Sequence, residues 1–334
     1  MMTDNNNDID LVVTWVDGSD PEWEKNYSRF SGHAPAPEYL FRDWGWMRFW
    51  FRGVERNIPW VRKIHFIASG DAPEWLDKNH PRLNIVRHRD FIPEKYLPTF
   101  SANAIELNIH RITELSEKFV FCNDDFFFVG AMEPEDYFHD DLPCDCLHVR
   151  PVTESNSKQF IHLLLNNMVC LNRNFDMHQC MENNREKWFS DRYTEDILND
   201  NSSALRWNKF MGLWYDHMPL PLTKSSLQEL WQAEPALMDE VSARKFRDFD
   251  RDVNIFLCRF WNLASGKFVP YMRPKGAYCL VSDDCEKLLC SIRAENSVIC
   301  LNDTDNEFNF EERREYILSL LSGLFPDKSS FELF

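Results

Sequence analysis

Positive charge is what this 334-residue chain most conspicuously lacks: 37 Lys and Arg stand against 54 Asp and Glu, a formal net charge of -17. Without a cationic footprint to neutralise phosphates, the balance argues against a nucleic-acid binder. Electrostatic attachment to an anionic membrane is disfavoured for the same reason. No window approaches the roughly 18 uninterrupted apolar residues of a membrane-crossing helix. The start, MMTDNNNDID, has neither a basic region nor an apolar core, so no secretory signal is expected. Ten cysteines scatter without a disulfide rhythm; Cys144 and Cys146 form C-x-C, and Cys279, Cys285, Cys290 and Cys300 crowd one region, but no paired C-x-x-C spacing occurs. They read as reduced thiols in a cytosol, acting as small buried hydrophobes rather than metal ligands. Absent too are G-x-x-x-x-G-K-[ST], G-x-G-x-x-G, G-x-S-x-G and H-E-x-x-H, which removes the simplest NTPase, dinucleotide, serine-hydrolase and zincin readings.

What is present is a substantial core: 44% of the residues are hydrophobic, including 27 Phe and 12 Trp. IDLVVTWV (9–16) is β-branched and apolar and runs into the turn signal DGSDP. Arg48, Arg52 and Arg56 at four-residue spacing predict a helix over 42–57, closed before Pro59. KIHFIASG (63–70) and NIVRH (84–88) read as strands, and 101–117 as a helix capped by Ser101. FVFCNDDFFFVG (119–130) follows, an apolar run interrupted by two carboxylates. This alternation predicts an α/β layer structure. The stretch 131–214 reads as an irregular insertion or lid, and helices are expected over 223–238, 242–263 and 311–324. No repeat or low-complexity tract marks a linker, so 1–334 reads as one catalytic domain whose 215–334 half completes the site.

In open α/β sheets ligands bind outside the carboxyl ends of the strands, and both Asp17–Asp20 and Asp124–Asp125 fall at such ends. Adjacent Asp124 and Asp125, preceded by Asn123, offer the oxygen ligands that hard cations prefer; the alternative is a tight turn satisfied by its own backbone. Asp17, Gly18 and Asp20 carry the same ambiguity. His217, in YDHMP, has the ionisation suited to proton transfer near neutrality, against a structural or exposed role. Arg247, in KFRDFD, could grip a phosphate or simply pair with Asp248 or Asp250. CLND, ending in Asn302 and Asp303, reads by itself as a turn.

Four blocks in order resemble the Stealth family of sugar-phosphate transferases: IDLVVTWVDGSDPEW (9–23); FRDWGWMRFWFRGVERNIPWVRKIHFIASGDAPEWL through LPTFSANAIELNIHRITELSEKFVFCNDDFFFVG (41–130); DHMPLPLTKSSLQELW with VSARKFRDFDRDVN (216–254); and ICLNDTDNEFNFEERREYILSLLSGLFPDKSSFE (299–332). One departure stands out, W-G-W at 44–46, where the family often carries a polar or acidic pair.

The resemblance implies a GT-A-like, Rossmann-like mixed sheet flanked by helices, with an irregular insertion and a helical C-terminal part. It implies transfer of a hexose-1-phosphate or N-acetylhexosamine-1-phosphate from a nucleotide-sugar, UDP-linked by expectation, to a glycan hydroxyl, with release of the nucleoside monophosphate. Asp17, Gly18, Asp20, Asn103, His110 and Arg111 would form the donor site. Asp124, Asp125, Asn302 and Asp303 would surround a Mg²⁺ or Mn²⁺ ion. His217 would be the general base, with Arg247 and Asp125 beside it in catalysis. The expected setting is cytoplasmic, at the inner membrane face, with a lipid-linked glycan as acceptor. The competing readings are a conventional metal-dependent glycosyltransferase and a non-catalytic glycan-binding protein.

Overall fold

The computed structural model describes residues 8–153, 159–293 and 295–334. The leader reading therefore falls largely outside the described residues, as does 154–158 of the expected insertion. Among the described residues the strands run in chain order β1 (Ile9–Trp15), β2 (Ile64–Ala68), β3 (Leu83–Arg87), β4 (Lys118–Asn123), β5 (Phe126–Phe128), β6 (Phe138–His139), β7 (Leu142–Asp145), β8 (Leu220–Thr223), β9 (Val269–Pro270), β10 (Gly276–Leu280) and β11 (Val298–Asn302). The main sheet has the order β3-β2-β1-β4-β8, parallel except for β8. The chain steps outward from β1 to β2 and β3, then returns to the other side of β1 for β4. That reversal opens a crevice between the carboxyl ends of β1 and β4, the place where such sheets receive ligands.

β1 and β4 are near-continuous apolar runs because both faces of the sheet are covered. Val12, Phe119 and Phe121 enter one core with Leu147, Leu164, Trp188 and Leu257. Leu11, Val13, Val120 and Cys122 point the other way, against Trp50, Phe51, Ile299 and Phe331. At the amino end of the sheet, buried Asp10 accepts hydrogen bonds from Arg62 (2.8 and 2.5 Å) and from the Ser116 N–H (2.8 Å), and lies 2.9 Å from His65 Nε2.

The α/β expectation holds, and several boundaries differ for identifiable reasons. The helix expected over 42–57 starts only at Met47, because Gly45 sits at φ 73°, outside the helical region. The one expected over 101–117 stops at Glu106: the Asn108 side chain donates to the Ala104 carbonyl at 2.8 Å, and a short 3₁₀ turn, Ile109–Arg111, follows. Of the stretch 242–263 only Phe256–Ser265 is regular helix with the end of Pro235–Ala243; between them the chain wraps around Asp252, which accepts from Asn103 Nδ2, Arg244 Nη1 and the Asp248 N–H. The 131–214 stretch is not irregular: it contains helices Phe160–Asn174, Met177–Asn183 and Glu195–Ala204, whose apolar faces enter the first core. The helical C-terminal part also contributes strands: β10 and β11 pair there, and β11 takes β5 as its antiparallel partner.

Candidate active site

FVFCNDDFFFVG is two strands from two sheets. β4 ends at Asn123 in the main sheet, the chain turns through Asp124 and Asp125, and β5 leaves in the second sheet. Pairing of Phe126 with Cys300 lays β11 beside the turn, and the Leu301 N–H donates to the Asp125 carbonyl at 2.9 Å. The backbone of Asp125 is thus fixed by both sheets.

Its carboxylate is buried. Oδ2 accepts from Asn302 Nδ2 at 3.1 Å and Cys300 Sγ at 3.3 Å, and His217 Nε2 lies 3.8 Å away. Oδ1 is buried with no hydrogen-bond partner. Burial pushes this carboxyl up, but His217, Asn302 and Cys300 outweigh it, and it lies below its ordinary value. Asp124 moves the other way: desolvation, then the charges of Asp125 and Asp43, raise it to about 8. Asp43, an exposed residue whose carboxyl accepts from the Gly45 N–H, is raised by local desolvation and by Asp17. Asp124 therefore feels both Asp125 and Asp43, and Asp43 feels Asp17 in the loop after β1. Asp43 was not foreseen, because nothing in RDW separates it from a surface acid.

His217 stands edge-on to Phe126 at 4.9 Å and to Tyr278 at 5.9 Å, and its side chain is 26% exposed. Glu106, also unforeseen, is buried at the end of its helix. Burial raises its carboxyl to about 7, against the opposing influence of Arg247, the Ile255 N–H and His217. Arg247 and His217 thus both act on one carboxyl, and the readable signal was an acid between Ile105 and Leu107. Arg247 is exposed, with its guanidinium 5.5 Å from the Phe249 ring, and lines an open cavity of about 550 Å³ with His162, Lys245 and Phe246.

The remaining residues divide. Asp17 and Asp20 border a second cavity, about 290 Å³, with Trp15, Ser69, Gly70 and Asp71 at the ends of β1 and β2. Asp17 Oδ1 accepts from the Ser19 N–H and hydroxyl, while Asp20 caps the helix Pro21–Phe30. Gly18 has a packing reason: any Cβ there would collide with the Phe41 carbonyl oxygen. Asn103 is buried on Asp252 and so supports the 244–252 loop that carries Arg247.

His110 and Arg111 are not brought to the carboxylates. The 3₁₀ turn directs them to Trp231, at 5.8 and 4.5 Å, and Arg111 Nε donates to Asn108. Burial and Arg111 depress His110 to about 4. Asp303 is likewise engaged elsewhere, bound by Arg42 at 2.6 Å through both oxygens and by Trp44 Nε1 at 2.8 Å. This gives W-G-W its place: Trp44 and Trp46 stack at 5.2 Å in the core, and Trp44 anchors Asp303. Asn302 donates to Asp125 and accepts from the Tyr278 hydroxyl at 2.9 Å, so its oxygen is occupied.

A hard cation would look to the carboxylate oxygens here rather than to sulfur. The ligand atoms of Asp125, His217 and Cys300 lie within 4.8 Å of one another, and Asp125 Oδ1 is a buried acceptor with nothing to accept from. Of the ten cysteines, all free, only Cys285 and Cys290 are exposed.

Three family models match this sequence: Stealth protein conserved region 1 over residues 7–34, conserved region 2 over 40–144 and conserved region 4 over 291–334. The capsular polysaccharide phosphotransferase WcwK of Streptococcus pneumoniae is 35% identical over 334 residues, covering 98% of this chain and 99% of its own. The receptor polysaccharide phosphotransferase WefC of Streptococcus oralis is 35% identical, covering 98% and 100%. The exopolysaccharide phosphotransferase cps2G of Lactiplantibacillus plantarum is 32% identical, covering 99% and 98%. Among solved structures, the galactosyltransferase LgtC with donor and acceptor sugar analogues aligns over 96% of this chain and 98% of its own at 9% identity and a TM-score of 0.41, a likeness too loose to support an argument.

Proposed function

The chain belongs to the Stealth family and is a phosphotransferase, and on that premise we propose that it transfers a hexose-1-phosphate or N-acetylhexosamine-1-phosphate from a nucleotide-sugar to a glycan hydroxyl in capsular or exopolysaccharide synthesis. The observation that supports this reading is the buried Asp125 carboxylate after β4, with His217 Nε2 3.8 Å from one oxygen and no hydrogen-bond partner on the other. The donor nucleotide would lie toward the cavity at the ends of β1 and β2, near Asp17 and Asp20.

A divalent cation, Mg²⁺ or Mn²⁺, fits the residues present. Asp125 Oδ1 lacks a partner, and a cation would offset the burial, and after it the repulsion from Asp125 and Asp43, that raise Asp124. Asp124 and Asp125 would hold it, and once bound it would neutralise the diphosphate oxygens. Asn302 and Cys300 keep Asp125 oriented by donating to its other oxygen.

Phosphoryl transfer demands positioning and charge stabilisation more than covalent catalysis. His217 would take the proton of the acceptor hydroxyl, and the Asp125 carboxylate 3.8 Å from Nε2 favours the imidazolium that results. Arg247 would meet the phosphoryl oxygens. The acceptor oxygen bonds to the phosphorus that carries the sugar, the bond from that phosphorus to the nucleoside monophosphate breaks, and the sugar's anomeric C–O bond stays intact. The setting would be the cytoplasmic face of the membrane, with a lipid-linked glycan as acceptor. Among the described residues no helix is long and apolar enough to cross a membrane.

Incubation with a panel of nucleotide-sugars and acceptor, read by mass spectrometry, tests this. Nucleoside monophosphate and a phosphorus-containing product are expected; nucleoside diphosphate and a phosphorus-free product would make the enzyme a conventional glycosyltransferase. Asp125→Ala should abolish metal-stimulated turnover with a melting temperature within a few degrees of the native chain.

A further inference from the structure

Four charged side chains from four separate stretches meet beside the segment that carries His217. Asp145, ending β7, accepts both Nε and Nη2 of Arg259, at 2.7 and 2.8 Å. Arg259 also donates through Nη1 to the Trp214 carbonyl at 2.7 Å. Arg273, between β9 and β10, lies with Nη2 3.1 Å from Asp145 and donates through Nη1 to Asp216 at 3.2 Å. Asp216 directly precedes His217 in the chain.

The stretch 273–278 touches three consecutive residues of the 216–218 segment. Arg273 holds Asp216, the Tyr278 ring meets the His217 ring, and Gly276 lies so close to Met218 that a Cβ would collide with its sulfur. Tyr278 in turn donates to Asn302, which donates to Asp125. One stretch of chain therefore sets both the imidazole and the carboxylate it faces.

Stability gives a poor account of Arg273. Its side chain is 12% exposed, yet Nε is buried with no hydrogen-bond acceptor, Nη2 has only the 3.1 Å ion pair with Asp145, and Asp145 already has the paired donors of Arg259. Leaving buried donors unmade forfeits the hydration they had in the unfolded chain. Removing one partner of a buried ion pair is costly when it strands the other charge, but here Asp145 would keep both donors of Arg259 and the Asp216 side chain is 35% exposed. An incompletely satisfied guanidinium next to a reactive segment calls for another explanation.

We propose that Arg273 is a positioning residue for the phosphotransfer: by engaging Asp216 it fixes the 214–218 segment, so that His217 stays between Phe126 and Tyr278 and faces the acceptor oxygen. The proposal rests on the reading of His217 as the base, and misplacement of a catalytic group by about 1 Å is worth on the order of a hundredfold in rate.

The test is a double-mutant cycle on the full chain with nucleotide-sugar and acceptor. Arg273→Met should lower kcat by roughly 10- to 100-fold and leave the KM for the nucleotide-sugar within about twofold. Arg273→Lys should restore part of the loss. Asp216→Asn, which leaves the Asp145–Arg259 pair intact, should reproduce the defect without loss of folding. In a His217→Ala background both changes should cost almost nothing further. A full additional loss in that background, with His217→Ala itself impaired, would overturn the positioning role alone. Unimpaired turnover by His217→Ala would instead sink the base assignment, and this proposal with it.

Discussion

At the scale of single residues, Glu106 is the most informative side chain outside the two acidic loops. Burial raises its carboxyl from the ordinary 4.5 to about 7, even though Arg247, the Ile255 N–H and His217 all favour the ionised form. Between those two pH values the folded chain holds a proton that the unfolded chain has lost. Folding stability attributable to this group therefore falls as pH rises from about 4.5 to about 7. Glu106→Gln removes that dependence, so the variant should lose less melting temperature than the native chain between pH 5 and pH 8. An identical slope for both proteins would show that Glu106 does not carry the shifted titration. Near neutrality the same group changes charge within electrostatic reach of Arg247 and His217, the arginine and the base proposed above, which suits a role in ordering them.

At the scale of elements, Asp20 separates a structural duty from a binding one. It precedes the helix Pro21–Phe30, and its Oδ1 accepts from the Glu22 N–H at 2.8 Å and from the Trp23 N–H at 3.5 Å. Pro21 at the first helical position and Glu22 and Glu24 in the first turn strengthen the same start. Asp20→Ala should cost about 1 kcal/mol, the usual value of a lost N-cap, measurable by denaturant titration. Asp20→Asn retains a capping oxygen and should keep the stability. If the cavity between the ends of β1 and β2 receives the donor, Asp20→Asn will still weaken nucleotide-sugar binding; unchanged binding would leave Asp20 a cap alone. The arginines spaced along Met47–Asn57 play an analogous structural part. Arg52 is held by Glu332 at 2.8 Å through both nitrogens, Arg56 donates to the Leu324 carbonyl, and Arg48 to that of Phe334.

At the scale of the molecule, one sheet separates two cores, and neither core is local in sequence. The first joins β1 and β4 to the helices of 160–204 and to Phe256–Ser265. The second joins the opposite faces of the same strands to Met47–Asn57, β11, Phe310–Leu324 and the final residues, where Phe331 is fully buried. Because alternate residues of the same strands enter both cores, we propose that the chain unfolds as one cooperative unit. Calorimetry should give a single transition, and Phe331→Ala, expected to cost roughly 3–5 kcal/mol, should lower that transition as a whole. A separate melting step for the 131–214 stretch would contradict it.

The sequence by itself determined the α/β class, because the β-branched runs of β1, β2 and β4 can be buried only in a covered, largely parallel sheet. It also brought out Asp17, Asp124, Asp125 and His217 as candidates, since carboxylates after buried strands and a histidine in a non-helical segment are local patterns. Asp43 and Glu106 were not legible in it, nor was the capture of Asp303 by Arg42 and Trp44. Those depend on pairs up to 261 residues apart, which no local pattern encodes. Tertiary structure alone turned His110 and Arg111 toward Trp231, because the helix stops at Glu106, about three turns earlier than its apolar spacing predicts, where the Asn108 side chain donates to the Ala104 carbonyl. It alone, too, set Arg273 against Asp216: short-range spacing specifies elements, whereas which charged ends share a buried site follows from how the two sheets and two cores close around them.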